Sequence, residues 1–313
     1  MKNTALVKIT EHLPPCIKQT LLKLNENTFN SISEIRLRAE KINTVTLLGQ
    51  NLYICYTGIS KTASECMKLT QNELDNFIFS ICSGSVYSYE NTIKNGYISR
   101  FGARIGICGN VIIKNSEICG FSKIDSVNIR VPCHVPCCSE KLLSKLPQNI
   151  FSSGKGILIA SAPGIGKTTL LRDLSVKLST NTGTSASYRV VVIDERNEIY
   201  IPELFENCSA DIYSGIDKKS GFEYAIRCMS PEIIICDEIG SEKEADVIFS
   251  AHTGGISVIA SVHASCLNDI YIKPSVKKLC DIGVFSHIYI MNRINGIVSG
   301  KLYEYSGKEV IIC

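Results

Sequence analysis

The segment Ser161-Ala162-Pro163-Gly164-Ile165-Gly166-Lys167-Thr168-Thr169 constrains this chain more than any other. An apolar run, Gly156 to Ala160, precedes it, and a helical pattern starting Thr169-Leu170-Leu171-Arg172-Asp173-Leu174 follows. Strand, glycine-rich turn and helix make the setting of a phosphate-binding loop. Glycines let successive backbone N–H groups face one hollow, and the helix N-terminus adds its positive dipole end. Residues 161–169 are therefore the expected ATP cradle. Lys167 is expected to reach the β- and γ-phosphates and the Thr168 hydroxyl to ligate Mg2+. One position departs from G-x-x-x-x-G-K-[ST]. The first glycine is Ser161, which has to accept a backbone bend that glycine takes freely.

From about residue 140 onward, strand and helix signals alternate. Strands are expected at Gly156–Ala160, Arg189–Asp194, Glu232–Cys236 and Ser257–His263, and helices at Lys167–Thr180, Gly221–Met229 and Ala245–Gly254. Nearly continuous apolar strands between helices indicate a parallel sheet covered on both faces. Two antiparallel strands, His287–Asn292 and Lys301–Tyr305, are expected to end the chain around a turn at Asn295-Gly296. The fold class expected is a RecA-like P-loop domain, α/β with a mostly parallel sheet, over residues 139–313. Before it, residues 1–138 read as a smaller α+β domain. Its signals are a helix over Leu13–Leu24, alternation at Val45–Leu48 and Leu52–Ile54, a helix over Leu69–Cys82, and a glycine-rich β segment from Tyr97 to Ile113. Pro132, Pro136 and Pro147 mark the linker.

The chemistry beyond phosphate binding rests on Ile233-Ile234-Ile235-Cys236-Asp237-Glu238. Apolar residues ending in two acids place both carboxylates at the C-terminal edge of a strand, where open α/β sheets bind ligands. Asp237 is expected in the Mg2+ shell, and Glu238 is expected to polarise the attacking water. A small-molecule kinase needs the metal-binding acid but not the second one, so Glu238 turns the reading toward hydrolysis. A second acidic strand end, Asp194-Glu195, would lie beside the first and could position metal-bound waters or the nucleophile; a solvated strand end would look the same. His263 would fall on the same edge of the sheet, although a lone histidine ending a strand is usually structural.

Of the 313 residues, 45% are apolar and 20% charged, the net charge is +3, and basic residues are scattered. No nucleic-acid partner is expected from that balance. Met1 to Thr10 has no signal-peptide pattern and no apolar run reaches the 18 or so residues of a membrane span, so a cytoplasmic protein without direct membrane insertion is expected. The fifteen cysteines have no repeated spacing and read as reduced thiols, with Cys108 and Cys236 in core-like contexts. Cys133, His134, Cys137 and Cys138 are ligand types, but no second ligand pair of suitable spacing follows to complete a zinc site.

The phosphate loop, the acids at Asp194-Glu195 and Asp237-Glu238, His263 and the segment Arg227-Cys228-Met229-Ser230-Pro231-Glu232 together resemble the secretion and traffic ATPases of type II, type IV and pilus systems. A closer resemblance covers nearly the whole chain. Ser33-Glu34-Ile35-Arg36-Leu37-Arg38, Asn95-Gly96-Tyr97-Ile98, Arg104 to Gly109, Ser126 to Arg130 and Asp237-Glu238-Ile239-Gly240 are similar to the stage III sporulation AA family of endospore-forming bacteria. That resemblance implies a ring, a hexamer, that is peripheral to the mother-cell membrane around the forespore. It also implies membrane proteins of the stage III complex as partners. It further implies that an arginine of the N-terminal domain, Arg100, Arg104 or Arg130, reaches the nucleotide to offset charge on the transferred phosphoryl group. Two other readings use the same residues: a DNA-dependent RecA-like ATPase, and an assembly platform that binds ATP without hydrolysing it.

Overall fold

Residues 32–38 form the first strand, β1 (Ile32–Arg38), with Ile32, Ile35 and Leu37 buried and Arg36 exposed. A register shift between Ile32 and Glu34 lets Ile32 and Ile35, of opposite parity, face the same core. The computed structural model describes residues 4–47, 49–85, 89, 93–114, 116–131, 137–180, 187–294, 297–305 and 310–312. The chain forms two compact units, Met1–Cys133 and His134–Cys313. The boundary expected at 138/139 lies a few residues beyond that division.

In the first unit, the described strands after β1 are β2 (Thr44–Leu47), β3 (Gln50–Cys55), β4 (Gly58–Ser60), β5 (Tyr97–Arg100), β6 (Ala103–Lys114) and β7 (Glu117–Arg130). They make an antiparallel sheet in the order β4-β3-β2-β1-β7-β6-β5. Helices α1 (Thr4–His12), α2 (Pro15–Leu22), α3 (Glu26–Asn30) and α4 (Gln71–Ile81) supply Leu6, Ile9, Ile17, Leu21, Phe29, Leu74 and Phe77 to one core with Ile35, Leu37, Ile98, Ile105 and Ile129. Burying each large apolar side chain contributes about 1.5–3 kcal/mol.

The helix expected over Leu13–Leu24 is α2, Pro15–Leu22, trimmed at both ends, and α1, Thr4–His12, precedes it without having been expected. Pro14 is held extended (φ −50°, ψ 140°) as the N-cap and Pro15 takes the first helical position. A residue before proline is pushed out of the helical region, so the chain has to break there. Cys108, expected in a core-like context, is exposed on β6, whereas Cys236 is fully buried.

The second unit opens with α5 (Glu140–Leu143) and carries β8 (Gly156–Ser161), α6 (Lys167–Thr180), β9 (Val190–Asp194), α7 (Pro202–Phe205), β10 (Asp211–Ser214), α8 (Lys218–Tyr224), β11 (Ile233–Cys236), α9 (Glu242–Thr253), β12 (Ser257–His263), α10 (Leu267–Tyr271), α11 (Pro274–Asp281), β13 (Phe285–Ile294), β14 (Ile297–Tyr305) and β15 (Val310–Ile312). The sheet order among the described residues is β10-β9-β11-β12-β8-β13-β14-β15. Strands from β10 through β13 pair in parallel, and β14 and β15 add antiparallel pairings at one edge. The turn expected at Asn295-Gly296 lies outside the described residues.

Alternation splits the central strands between two cores. Ile157, Ile159, Val190, Val192, Ile233 and Ile235 pack with Leu170, Leu171, Leu174 and Leu178 of α6. Leu158, Ala160, Val191, Ile193, Ile234 and Cys236 pack with Phe222, Ala245 and Ile248 of α8 and α9. This is the sheet covered on both faces that its apolar strands predict. The helix expected at Gly221–Met229 begins earlier, at Lys218, behind an Asp217 N-cap, and its last five residues, Ala225–Met229, widen to π-helix before Ser230 turns left-handed (φ +47°). Such widenings cluster at functional sites.

Candidate functional site

Four parallel strands, β9, β11, β12 and β8, end side by side, and their C-terminal ends carry the chemistry read from the sequence. After β8 comes the loop 162–166, in which Gly164 (φ +74°) and Gly166 (φ +122°) hold left-handed conformations that a side chain would strain. Ser161 is different. It is the buried last residue of β8, in extended conformation. The bend that the motif's first glycine takes freely is therefore not required here, and serine is accommodated without strain. Its hydroxyl donates to the Ala162 carbonyl at 2.8 Å.

β12 lies between β8 and β11, with His263 registered against Ser161. That interposition puts the histidine between the phosphate loop and Asp237-Glu238. Lys167, the first residue of α6, places its Nζ 2.7 Å from His263 Nδ1 and 3.1 Å from the Ser161 carbonyl oxygen. A lysine ammonium only donates, so Nδ1 accepts and the ring proton sits on Nε2. Nε2 in turn lies 2.8 Å from Glu238 Oε1. The other carboxylate oxygen accepts from Arg196 at 3.0 Å. Cation, neutral ring, anion and cation thus form one chain across the strand ends. Burial pushes the Lys167 ammonium down to about 8, against the opposing charge of Glu238.

The two acids of each strand end do different work. Asp194 is fully buried and accepts the backbone N–H groups of Glu198, Ile199 and Tyr200 at 2.8–2.9 Å. Its carboxylate is committed to holding the loop after β9, and burial raises its pKa despite those bonds. Glu195 reaches Lys218 Nζ at 2.7 Å. Asp237 is 4% exposed, and burial pushes it up to about 6, opposed by the charge of Lys218. Its Oδ1 has no hydrogen-bond partner. An orphaned, buried carboxylate oxygen beside a phosphate loop fits a magnesium ion, a hard cation that takes oxygen donors. Asp237 and the Thr168 hydroxyl are donors of that type. Among the described residues no ready-made cluster of metal ligands occurs, and Cys133 and His134 lie outside them.

Arg104 and Arg130 are cross-strand partners on β6 and β7 of the first unit. The Arg104 guanidinium lies over the Tyr97 ring, 4.3 Å from its centroid. Arg100 donates to Tyr89 Oη at 2.7 Å and Ser83 Oγ at 2.6 Å, so its guanidinium is occupied locally.

Three residues at the candidate site escaped the sequence reading. Arg196 follows the acids of β9 in a stretch that reads as an ordinary charged turn. Arg293, near the end of β13, donates to the Gly164 carbonyl at 3.3 Å across a sequence distance that no local pattern reveals. Lys218 is 3% exposed although it starts a helix, where a lysine normally reads as solvated. Its position was itself a signal, since a cation in a helix's first turn opposes the helix dipole.

Comparison with known proteins places this geometry in a family. A model for sporulation stage III, protein AA, matches residues 6–310. Stage III sporulation protein AA of Bacillus subtilis (strain 168) is 33% identical over 307 residues, covering 96% of this chain and 95% of that protein. Among solved structures, the Legionella pneumophila ATPase DotB superposes with a TM-score of 0.57 at 17% identity, covering 97% of this chain and 80% of that one. The pilus retraction motor PilT with bound ADP also gives 0.57, at 14% identity, covering 100% and 83%. At such identities the likeness is one of fold, a RecA-like P-loop domain preceded by an N-terminal domain. The match over nearly the whole chain goes further than the fold: this protein belongs to the sporulation stage III, protein AA family.

Proposed function

We propose that the chain is a Mg2+-dependent ATPase that works as the ring-forming motor of a secretion-like sporulation assembly. It would act from the cytoplasmic side of the mother-cell membrane facing the forespore, on membrane proteins of the stage III complex. No helix among the described residues is long and apolar enough to cross a membrane, so the proposed attachment runs through those partners. The observation that carries the reading is the contact chain Lys167–His263–Glu238–Arg196 beside the orphaned Asp237 Oδ1.

In this reading the loop N–H groups and Lys167 hold the β- and γ-phosphates, while Thr168 and Asp237 hold magnesium, which neutralises phosphate charge when bound. A γ-phosphate that captures the Lys167 ammonium takes it from His263. The ring then keeps its Nε2 proton on Glu238, which is ionised and aimed to draw a proton from water. Glu195 supports the neighbouring strand end. Arg104 and Arg130, paired on their sheet, are the arginines proposed to meet a nucleotide in the assembled ring.

The test is steady-state phosphate release by purified protein with Mg-ATP. Release above the protein-free rate, abolished by a chelator, is expected. No release even at concentrations that form rings overturns hydrolysis. Release raised many-fold by single-stranded DNA, and not by membrane partners, overturns the membrane-motor reading in favour of a DNA-dependent one.

The depressed Lys167 pKa predicts the pH dependence of binding. Bound phosphate favours the charged form and returns the pKa toward its ordinary value near 10.5. Between pH 8 and 10 the free amine is neutral and the bound one protonated, so ATP binding takes up about one proton. Affinity then falls about tenfold per pH unit above 8. Calorimetry at pH 9 in two buffers of different ionisation enthalpy measures the uptake. A pH-independent affinity from 7 to 10 contradicts it.

A further inference from the structure

Lys218 is the first residue of α8, just behind the Asp217 cap, and its side chain is 3% exposed. Its Nζ stands 2.7 Å from Glu195 Oε2, 3.2 Å from Glu244 Oε1 and 3.5 Å from Asp237 Oδ1. The three acids come from the end of β9, the first turn of α9 and the end of β11. Each is fixed from elsewhere or by the lysine itself. Glu244 Oε2 accepts the backbone N–H groups of Gly240 at 3.0 Å and Ser241 at 2.7 Å, closing the capping box of α9. Asp237 Oδ1 has the ammonium as its ionic neighbour and no hydrogen bond.

An ammonium buried at the positive end of a helix is disfavoured twice, by desolvation and by the dipole. Three carboxylates around one point offset both effects. The same three, without the ammonium, are oxygen donors of the kind that collects a divalent cation. With the lysine present they surround a fixed +1 charge, and no metal cluster forms among the described residues.

We infer that Lys218 is a positioning residue, a resident counter-ion that fills the acidic pocket and keeps divalent cations off Asp237 until nucleotide phosphates bring one in. This rests on the ATPase reading above. In that reading it keeps a metal from seating on Asp237 in the empty state.

The test uses the full chain without nucleotide and Mn2+ as the probe, read by the loss of the free-ion paramagnetic resonance signal and by thermal shift. Wild type and Lys218→Arg should leave Mn2+ free and show no shift. Lys218→Met and Lys218→Gln, which remove the charge, should bind one Mn2+ at least tenfold more tightly than wild type and gain thermal stability from it. Adding Asp237→Asn to Lys218→Met should abolish that gain. The inference is overturned if neither uncharged variant gains Mn2+ affinity, if both stay unfolded with and without Mn2+, or if the double variant binds as Lys218→Met does. None of these readings involves ATP. A wild type that neither binds nor hydrolyses ATP therefore overturns the ATPase reading alone, and a hydrolysing wild type with unresponsive variants overturns the counter-ion alone.

Discussion

Glu238→Gln is expected to lower steady-state phosphate release by about 10²- to 10³-fold while ATP affinity stays within a few-fold of wild type. The substitution keeps the shape of the side chain and an oxygen that can accept the His263 Nε2 proton. It removes the one negative charge in the chain from Lys167 to Arg196. A neutral amide cannot take a proton from water, so the loss falls on the chemical step and not on binding. Stability should hardly move, because the Glu238 and Arg196 side chains are 31% and 48% exposed and pairs that wet contribute at most about 1 kcal/mol. Phosphate release, nucleotide binding and melting temperature together separate the alternatives. If wild type and variant release phosphate equally slowly and both bind ATP, the chain is an assembly platform and the motor reading fails.

That contrast was within reach of the sequence because its parts are local. A strand, a glycine-rich turn and a helix announce the phosphate loop, and a run of isoleucines ending in Asp237-Glu238 announces the acids. The connections between those parts were not. His263 reads as a lone strand-end histidine, and it becomes a bridge only because β12 is inserted between β8 and β11, a topological fact with no local signature. Asp194 and Glu195 look equivalent on paper. The structure separates them, since the first points into the loop and satisfies three backbone donors while the second meets Lys218.

In the first unit, periodicity revealed α2, α4 and the β2–β3 pair but not the short α1, which ends at His12 ahead of Pro14-Pro15. The interior position of β7, between β1 and β6, has no local signal either. Its 14 residues include Ser122, Lys123, Asp125 and Ser126, and a strand this polar is recognised by its partners β1 and β6 more than by its own pattern.

Lys167→Ala is expected to weaken ATP binding by roughly 3 kcal/mol, about 150-fold, because in the proposed reading its ammonium is the side-chain charge that meets the β- and γ-phosphates. The fold should not suffer. Lys167 starts α6, alanine is a favourable helix residue, and the charge removed is one whose burial already pulls its pKa down to about 8. A group that the empty site holds at a depressed pKa contributes nothing to stability through its charge, so the melting temperature without nucleotide should stay level or rise slightly. The response to ATP should disappear. Wild type at 100 times its dissociation constant gains about 2.7 kcal/mol from bound ligand, whereas the variant at the same concentration gains only a few tenths. A variant that keeps the ligand-induced shift would mean that ATP binds without this lysine, and the loop at 161–169 would no longer define the nucleotide site. A variant that loses both the shift and its native melting transition would instead show the bonds from Lys167 to Ser161 and His263 to be structural. The depressed pKa argues for the first cost, lost binding, without the second.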